Sequence, residues 1–162
     1  MLESIAELLP AGEKIAGKRF EGERFAGILH QRQFVCCTFT LCNFDDAMFE
    51  GASFKDCTFW GCNFTKGCFT LASFKDCTFR DCAMEGAKFR DAELLNCTFL
   101  RCNMRNINFI GATVAPIALD AFSGNAYNGM KLEGCSLATK DVQILEFRQL
   151  QIGKGFTLNG LS

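Results

Sequence analysis

Eleven cysteines and one histidine are the side chains of this sequence most able to do chemistry, and their spacing decides which chemistry is open to them. Eight thiols, at Cys37, Cys42, Cys57, Cys62, Cys77, Cys82, Cys97 and Cys102, come in pairs five residues apart that recur every 20 residues. Tetrahedral metal sites need convergent ligands, usually brought close by C-x-x-C spacing, and no such pair occurs. Eleven cysteines could suggest a disulfide framework in a secreted protein, but the strict lattice of eight of them serves packing. Thiols that repeat in one direction in a reducing compartment pack as small hydrophobes instead. Cys36, Cys68 and Cys135 lie off this lattice, with Cys36 and Cys68 at outward positions. His30 is the one base that a nucleophilic thiol could borrow; its other reading is packing within the fold or exposure on the surface. "AGEKIAGK" at 11–18 lacks the spacing of a phosphate-cradling loop. The neighbouring carboxylates Asp45 and Asp46 suit a solvated corner. The expectation is a protein that is not an enzyme, with no cofactor and no metal.

The elements that position these residues follow from a period of five. Steps of five from Phe34 reach Phe39, Phe44, Phe49 and onward to Phe109 and Val114, and all 17 positions carry Phe, Met, Leu or Val. An α-helix would spread such a series around every face, at about 100° per residue. A flat strand would send successive members to opposite faces, because its period is two. A chain that turns a corner once per five residues returns every large side chain to one interior. Two places before each large residue stands a second inward series, small except at Ile107, which reads Cys, Cys, Ala, Ala and then begins again. Four pentapeptides therefore make one coil of 20 residues, with Cys stacked on Cys and coils about 4.8 Å apart. Thr38, Thr58, Thr78 and Thr98 form a ladder on the same period, and Asn43, Asn63, Ala83 and Asn103 form another with a gap.

Such a pattern, a small residue, a polar residue, Phe or Leu and two variable residues, resembles the pentapeptide repeat family. The resemblance covers about Phe34 to Val114 without a break. It implies an all-β fold, a right-handed quadrilateral parallel β-helix, as one domain. At the N-terminus Leu2, Ile5, Leu8 and Leu9 recur at helical spacing before Pro10, so a short capping helix is expected within 1–12. Coils are expected over 15–114, with a step of four between Phe25 and Leu29 marking one irregular side. The lattice fails after Val114. Residues 115–129 read as a loop or irregular coil, 130–154 as a last coil in a register displaced by three (Leu132, Leu137, Val142, Phe147, Ile152), and 155–162 as a tail or cap.

Charge and hydropathy restrict the partners. Seventeen Lys and Arg against 18 Asp and Glu leave a net charge of −1, which speaks against nucleic-acid binding through phosphates. No apolar run is long enough to span a bilayer and no signal-like segment opens the sequence, so a cytoplasmic location is expected. Lys55 and Lys75 beside Asp56 and Asp76 read as a solvated ladder of mixed charge. Another outer column carries Thr40, Trp60, Arg80 and Leu100, with Leu41, Gly61, Asp81 and Arg101 beside it. An exposed Trp flanked by Leu and Arg has the composition of a binding hot spot. Leu41, Trp60, Arg80, Leu100 and Arg101 are accordingly the candidate surface for another protein, unless the excursion at 115–129 folds over them. A non-catalytic scaffold is the function expected. The resemblance also implies two alternatives. One is binding of a type II topoisomerase such as DNA gyrase by mimicry of DNA, with resistance to quinolones or toxins; the other is an accessory or effector role in bacterial secretion. DNA mimicry requires an acidic surface and a longer rod, which two copies joined through a terminal coil as a homodimer would supply.

Overall fold

A computed structural model describes Leu9 and residues 12–117, 122–123, 136–139 and 157–159, with side-chain detail as far as Val114. Large residues every fifth position fold here into four parallel ladders. The first face is an eight-stranded sheet of β1 (Lys14–Ala16), β4 (Gln33–Val35), β7 (Ser53–Lys55), β9 (Ser73–Lys75), β11 (Glu93–Leu95), β13 (Thr113–Ile117), β15 (Ser136–Thr139) and β16 (Thr157–Asn159). The second is a six-stranded sheet of β2 (Arg19–Glu21), β5 (Thr38–Thr40), β8 (Thr58–Trp60), β10 (Thr78–Arg80), β12 (Thr98–Leu100) and β14 (Phe122–Ser123). Single bridges joining Arg24, Asn43, Asn63, Ala83 and Asn103 make the third face. The fourth pairs β3 (Gly27–Ile28) with β6 (Ala47–Met48) and continues through Met48, Cys68, Lys88 and Asn108. This is the expected quadrilateral parallel β-helix. The expected capping helix falls on residues 1–12, most of which lie outside the described residues.

The 20-residue coil appears directly in the register, where Phe34 pairs with Phe54, Phe54 with Phe74 and Phe39 with Phe59. In the first coil the offset is 19, as for Ile15 with Phe34 and Arg24 with Asn43, and becomes 20 at Gly27 with Ala47. The missing residue is thus absorbed between Arg24 and Gly27, beside the step of four. Past the regular lattice Phe99 pairs with Phe122 and Val114 with Leu137, each 23 residues on, and β13 is irregular between Val114 and Ile117. β14 lies in the stretch read as a loop or irregular coil. β16 lies in the stretch read as a tail or cap, and pairs with β15.

Inside the square every large residue from Phe25 to Val114 is buried. Rings of successive coils stack face to face, at 4.7 Å and 3° for Phe44 with Phe64 and 4.8 Å and 6° for Phe39 with Phe59. Rings on adjacent sides meet edge to face, as Phe34 and Phe39 do at 5.5 Å and 70°. The edge-to-face contacts suit the aromatic quadrupole, and each fully buried Phe stabilises the fold by about 1.5–3 kcal/mol. Corners are made by the second residue after each large one, which adopts left-handed backbone: φ is 58° at Asp46, 54° at Asp76 and 53° at Leu41. Asp and Asn adopt it readily; for Leu41 it costs about 1–2 kcal/mol.

Candidate functional site

The cysteine lattice is a structural device. Each lattice thiol lies 3.2–3.6 Å from the carbonyl oxygen of the large residue in the preceding coil, as in Cys37 to Ile15 and Cys62 to Phe39. It also lies 3.3–3.6 Å from the carbonyl two residues before it in its own coil. At the other two corners the inner residue is mostly Ala, and its own amide donates to the large residue's carbonyl: Ala47 N to Phe44 O at 3.0 Å, Ala72 N to Phe69 O at 3.1 Å. Cysteine thus occupies the corners that follow the two extended faces, where the carbonyl points along the stack toward the next coil. The Cys57 thiol and burial both push the Cys37 thiol well above its ordinary range. At Cys57 the Cys37 thiol pulls downward, but the Cys77 thiol and burial outweigh it and push the value up to about 12. In the other column the hydrogen bonds between stacked thiols pull Cys62 and Cys102 down while they push Cys42 and Cys82 up. Thiols held buried and protonated, as Cys37 and Cys57 are, make poor nucleophiles and poor metal ligands.

Among the described residues the remaining candidates do not assemble into a reactive site; Cys135 lies outside those residues. Cys36 is exposed at a corner, and Cys68 is half-buried with its sulfur 3.5 Å from Thr70 Oγ1. His30 Nε2 is buried with no hydrogen-bond partner, so no thiol engages that nitrogen. Among the described residues no group of three or more His, Cys, Asp or Glu is placed to hold a metal ion. No described helix is long and apolar enough to cross a membrane.

The second face carries the candidate surface. Parallel pairing places Thr40, Trp60, Arg80 and Leu100 in one register column. Trp60, the single tryptophan, is 47% exposed and Leu41, at the adjoining corner, 59%. Trp60 Nε1 donates to Asp81 Oδ2 at 3.2 Å. Arg101 grips the same carboxylate with both ends, Nε to Oδ1 at 2.8 Å and Nη2 to Oδ2 at 3.1 Å. The Arg101 guanidinium, with a further hydrogen bond from Trp60, holds the Asp81 carboxyl below its usual range. Leu41 lies against the next coil because Gly61 leaves room: a Cβ there would stand 2.7 Å from Leu41 Cδ2.

The structure therefore brings together Leu41, Trp60, Arg80, Leu100 and Arg101, with Leu100 half-buried and the other four exposed. It adds Asp81 as the hub joining Trp60 to Arg101. The sequence placed Asp81 beside the column without singling it out, because the bond depends on the indole reaching diagonally into the next coil, 21 residues on.

Residues 72–154 match the family described as the pentapeptide repeat region, and 31–61 and 42–81 match pentapeptide repeats (8 copies). Among solved structures, similarity extends to a trypsin-treated variant of QnrB1, a plasmid-mediated fluoroquinolone resistance protein. It has 17% identity and a TM-score of 0.40 over 90% of this chain and 91% of that one. HetL, a pentapeptide repeat protein involved in heterocyst differentiation regulation in the cyanobacterium Nostoc, is 10% identical with a TM-score of 0.27, over 91% of this chain and 81% of HetL. A pentapeptide repeat protein from the thylakoid lumen of Arabidopsis thaliana is 18% identical with a TM-score of 0.22, over 76% of this chain and 64% of that one. No curated protein matches. On the period-five lattice, the four-sided parallel ladders and the family match over residues 72–154, the chain belongs to the pentapeptide repeat family.

Proposed function

We propose that this protein is a non-catalytic scaffold that binds another protein through its second face, around Trp60. The observation that carries the reading is an exposed indole held in place by Asp81, itself clamped by Arg101. Trp and Arg are the side chains most enriched at binding hot spots. A large apolar group already fixed before contact loses little entropy on binding, and the β-helix beneath it is rigid through its stacked Phe core.

The decisive comparison is affinity capture with wild-type protein and the Trp60→Asp variant side by side, followed by titration of the retained protein in purified form. A partner bound by the wild type and weakened at least about 100-fold by Trp60→Asp, some 2.7 kcal/mol, supports the reading. Equal binding by both proteins moves the interface elsewhere.

Binding to a type II topoisomerase by DNA mimicry is less well supported, since it requires columns of carboxylates in place of phosphates. Here Asp56 and Asp76 alternate with Lys55 and Lys75, and the net charge is −1. Purified gyrase should keep its supercoiling rate in the presence of this protein; inhibition would favour mimicry over the Trp60 scaffold.

A further inference from the structure

Arg80 follows Trp60 in the same column, and among the described residues no ion pair engages it, whereas Asp81 is taken by Arg101. The column therefore presents one cation, which helps lower the Asp81 carboxyl without pairing to it, between two apolar groups, Trp60 and the half-buried Leu100, with Leu41 one coil before Trp60. Coil spacing puts these groups at steps of about 4.8 Å along the stack, so Leu100 lies about 9.6 Å from Trp60. A partner that runs along the column must repeat its contacts at that spacing. An extended strand repeats one face about every 6.6 Å and drifts out of step after one contact. A helix advances about 4.5 Å over three residues, 6 Å over four and 10.5 Å over seven, and those positions share one face.

We infer that the partner surface recognised by the second face is an acidic amphipathic helix lying along the column. An apolar side chain at position i meets Trp60, Asp or Glu at i+3 or i+4 meets Arg80, and apolar residues at i+7 and one turn before i meet Leu100 and Leu41. Arg80 thereby sets the charge preference of the face, and Trp60 supplies most of the affinity. The inference rests on the scaffold reading above and narrows its partner to one chemistry.

The test is selection from a display library of helices of about 18 residues on an Ala and Gln host, with the facing positions randomised and Trp omitted. Wild-type protein is the bait, and Trp60→Ala removes binders that do not use the face. Expected are Trp60-dependent peptides with Asp or Glu one turn after an apolar residue. Changing that acid to Lys should weaken binding to the wild type at least about tenfold, and Arg80→Glu should reverse the preference. Both replaced side chains are exposed, and circular dichroism of each variant reports whether the coils are intact. The Glu-to-Lys change in the peptide keeps the charge test free of any folding effect in the protein. Trp60-dependent binders with no acidic preference, or with an alternating extended pattern, overturn the acidic helix and leave the scaffold reading standing. A library that yields no Trp60-dependent binder overturns the acidic helix, while the scaffold reading is decided by the affinity capture with Trp60→Asp.

Discussion

The sulfur of Cys62 lies 3.2 Å from the carbonyl oxygen of Phe39, which belongs to the preceding coil. A thiol there ties two coils together while filling an inner corner. Cys62→Ser keeps a donor facing that oxygen and Cys62→Ala removes it, so Ser should retain more stability than Ala, the latter costing about 1–2 kcal/mol. Thermal unfolding of the two variants decides between donor and filler. If Ala proves the more stable, the thiol acts only as an apolar plug.

Alkylation should separate the thiols by position. Cys36 is exposed and should react first, while Cys37, Cys57 and Cys77 are buried and protonated far above neutral pH. Peptide mapping after brief iodoacetamide treatment should find Cys36 labelled and those three unlabelled, and raising the pH to about 9, past the ordinary thiol range, should not change the order. Rapid labelling of Cys57 in folded protein would show that the lattice opens.

Trp60 fluorescence reports on Asp81, because the indole donates to its carboxylate. Arg101 and then Trp60 lower the folded-state pKa of Asp81. The stabilising contribution of a carboxylate lowered in this way is complete above its unfolded value of about 3.9 and is lost as pH falls through the lower folded value. Emission should therefore hold steady down to about pH 4 and change only below it, and Arg101→Ala should move the midpoint upward. A wild-type midpoint above about 4 would contradict the clamp.

Phe64 is fully buried and stacks 4.7 Å from Phe44. Phe64→Ala should cost about 3–5 kcal/mol through lost burial and a cavity that the stacked neighbours cannot collapse into. For a domain of this size that removes much of the net stability. An unchanged melting temperature would refute the inward assignment of the Phe lattice.

The Asn ladder on the third face has one gap. Asn43, Asn63 and Asn103 each accept a hydrogen bond at Oδ1 from the amide two residues on, at 2.9, 3.0 and 3.2 Å, and Ala83 stands in the same bridged column. Ala83→Asn offers the Glu85 amide the same acceptor. A gain of about 1 kcal/mol is expected, raising the melting temperature by about 2–4 °C. A fall would mean that crowding between stacked amides outweighs the new bond.

What the sequence determined by itself was the square. A large residue every five positions and small residues with a period of four pentapeptides are burial requirements repeated 17 times, and only one chain path meets them all. The 20-residue register, the inward thiols and the column holding Trp60 and Arg80 could all be read for that reason. Tertiary structure decided what depends on side-chain reach between coils and on carbonyl direction. Cysteine at two corners and alanine at two others looked like equivalent small residues, until the carbonyls of Phe39 and Phe44 proved to face different donors. Leu41 became a left-handed corner lying against the next coil, at a position where composition favours Gly, Asp or Asn. Asp81 became a hub because an indole and a guanidinium from coils on either side reach the same carboxylate. Periodicity fixes where a side chain starts, and only the packed neighbours fix where its polar end stops.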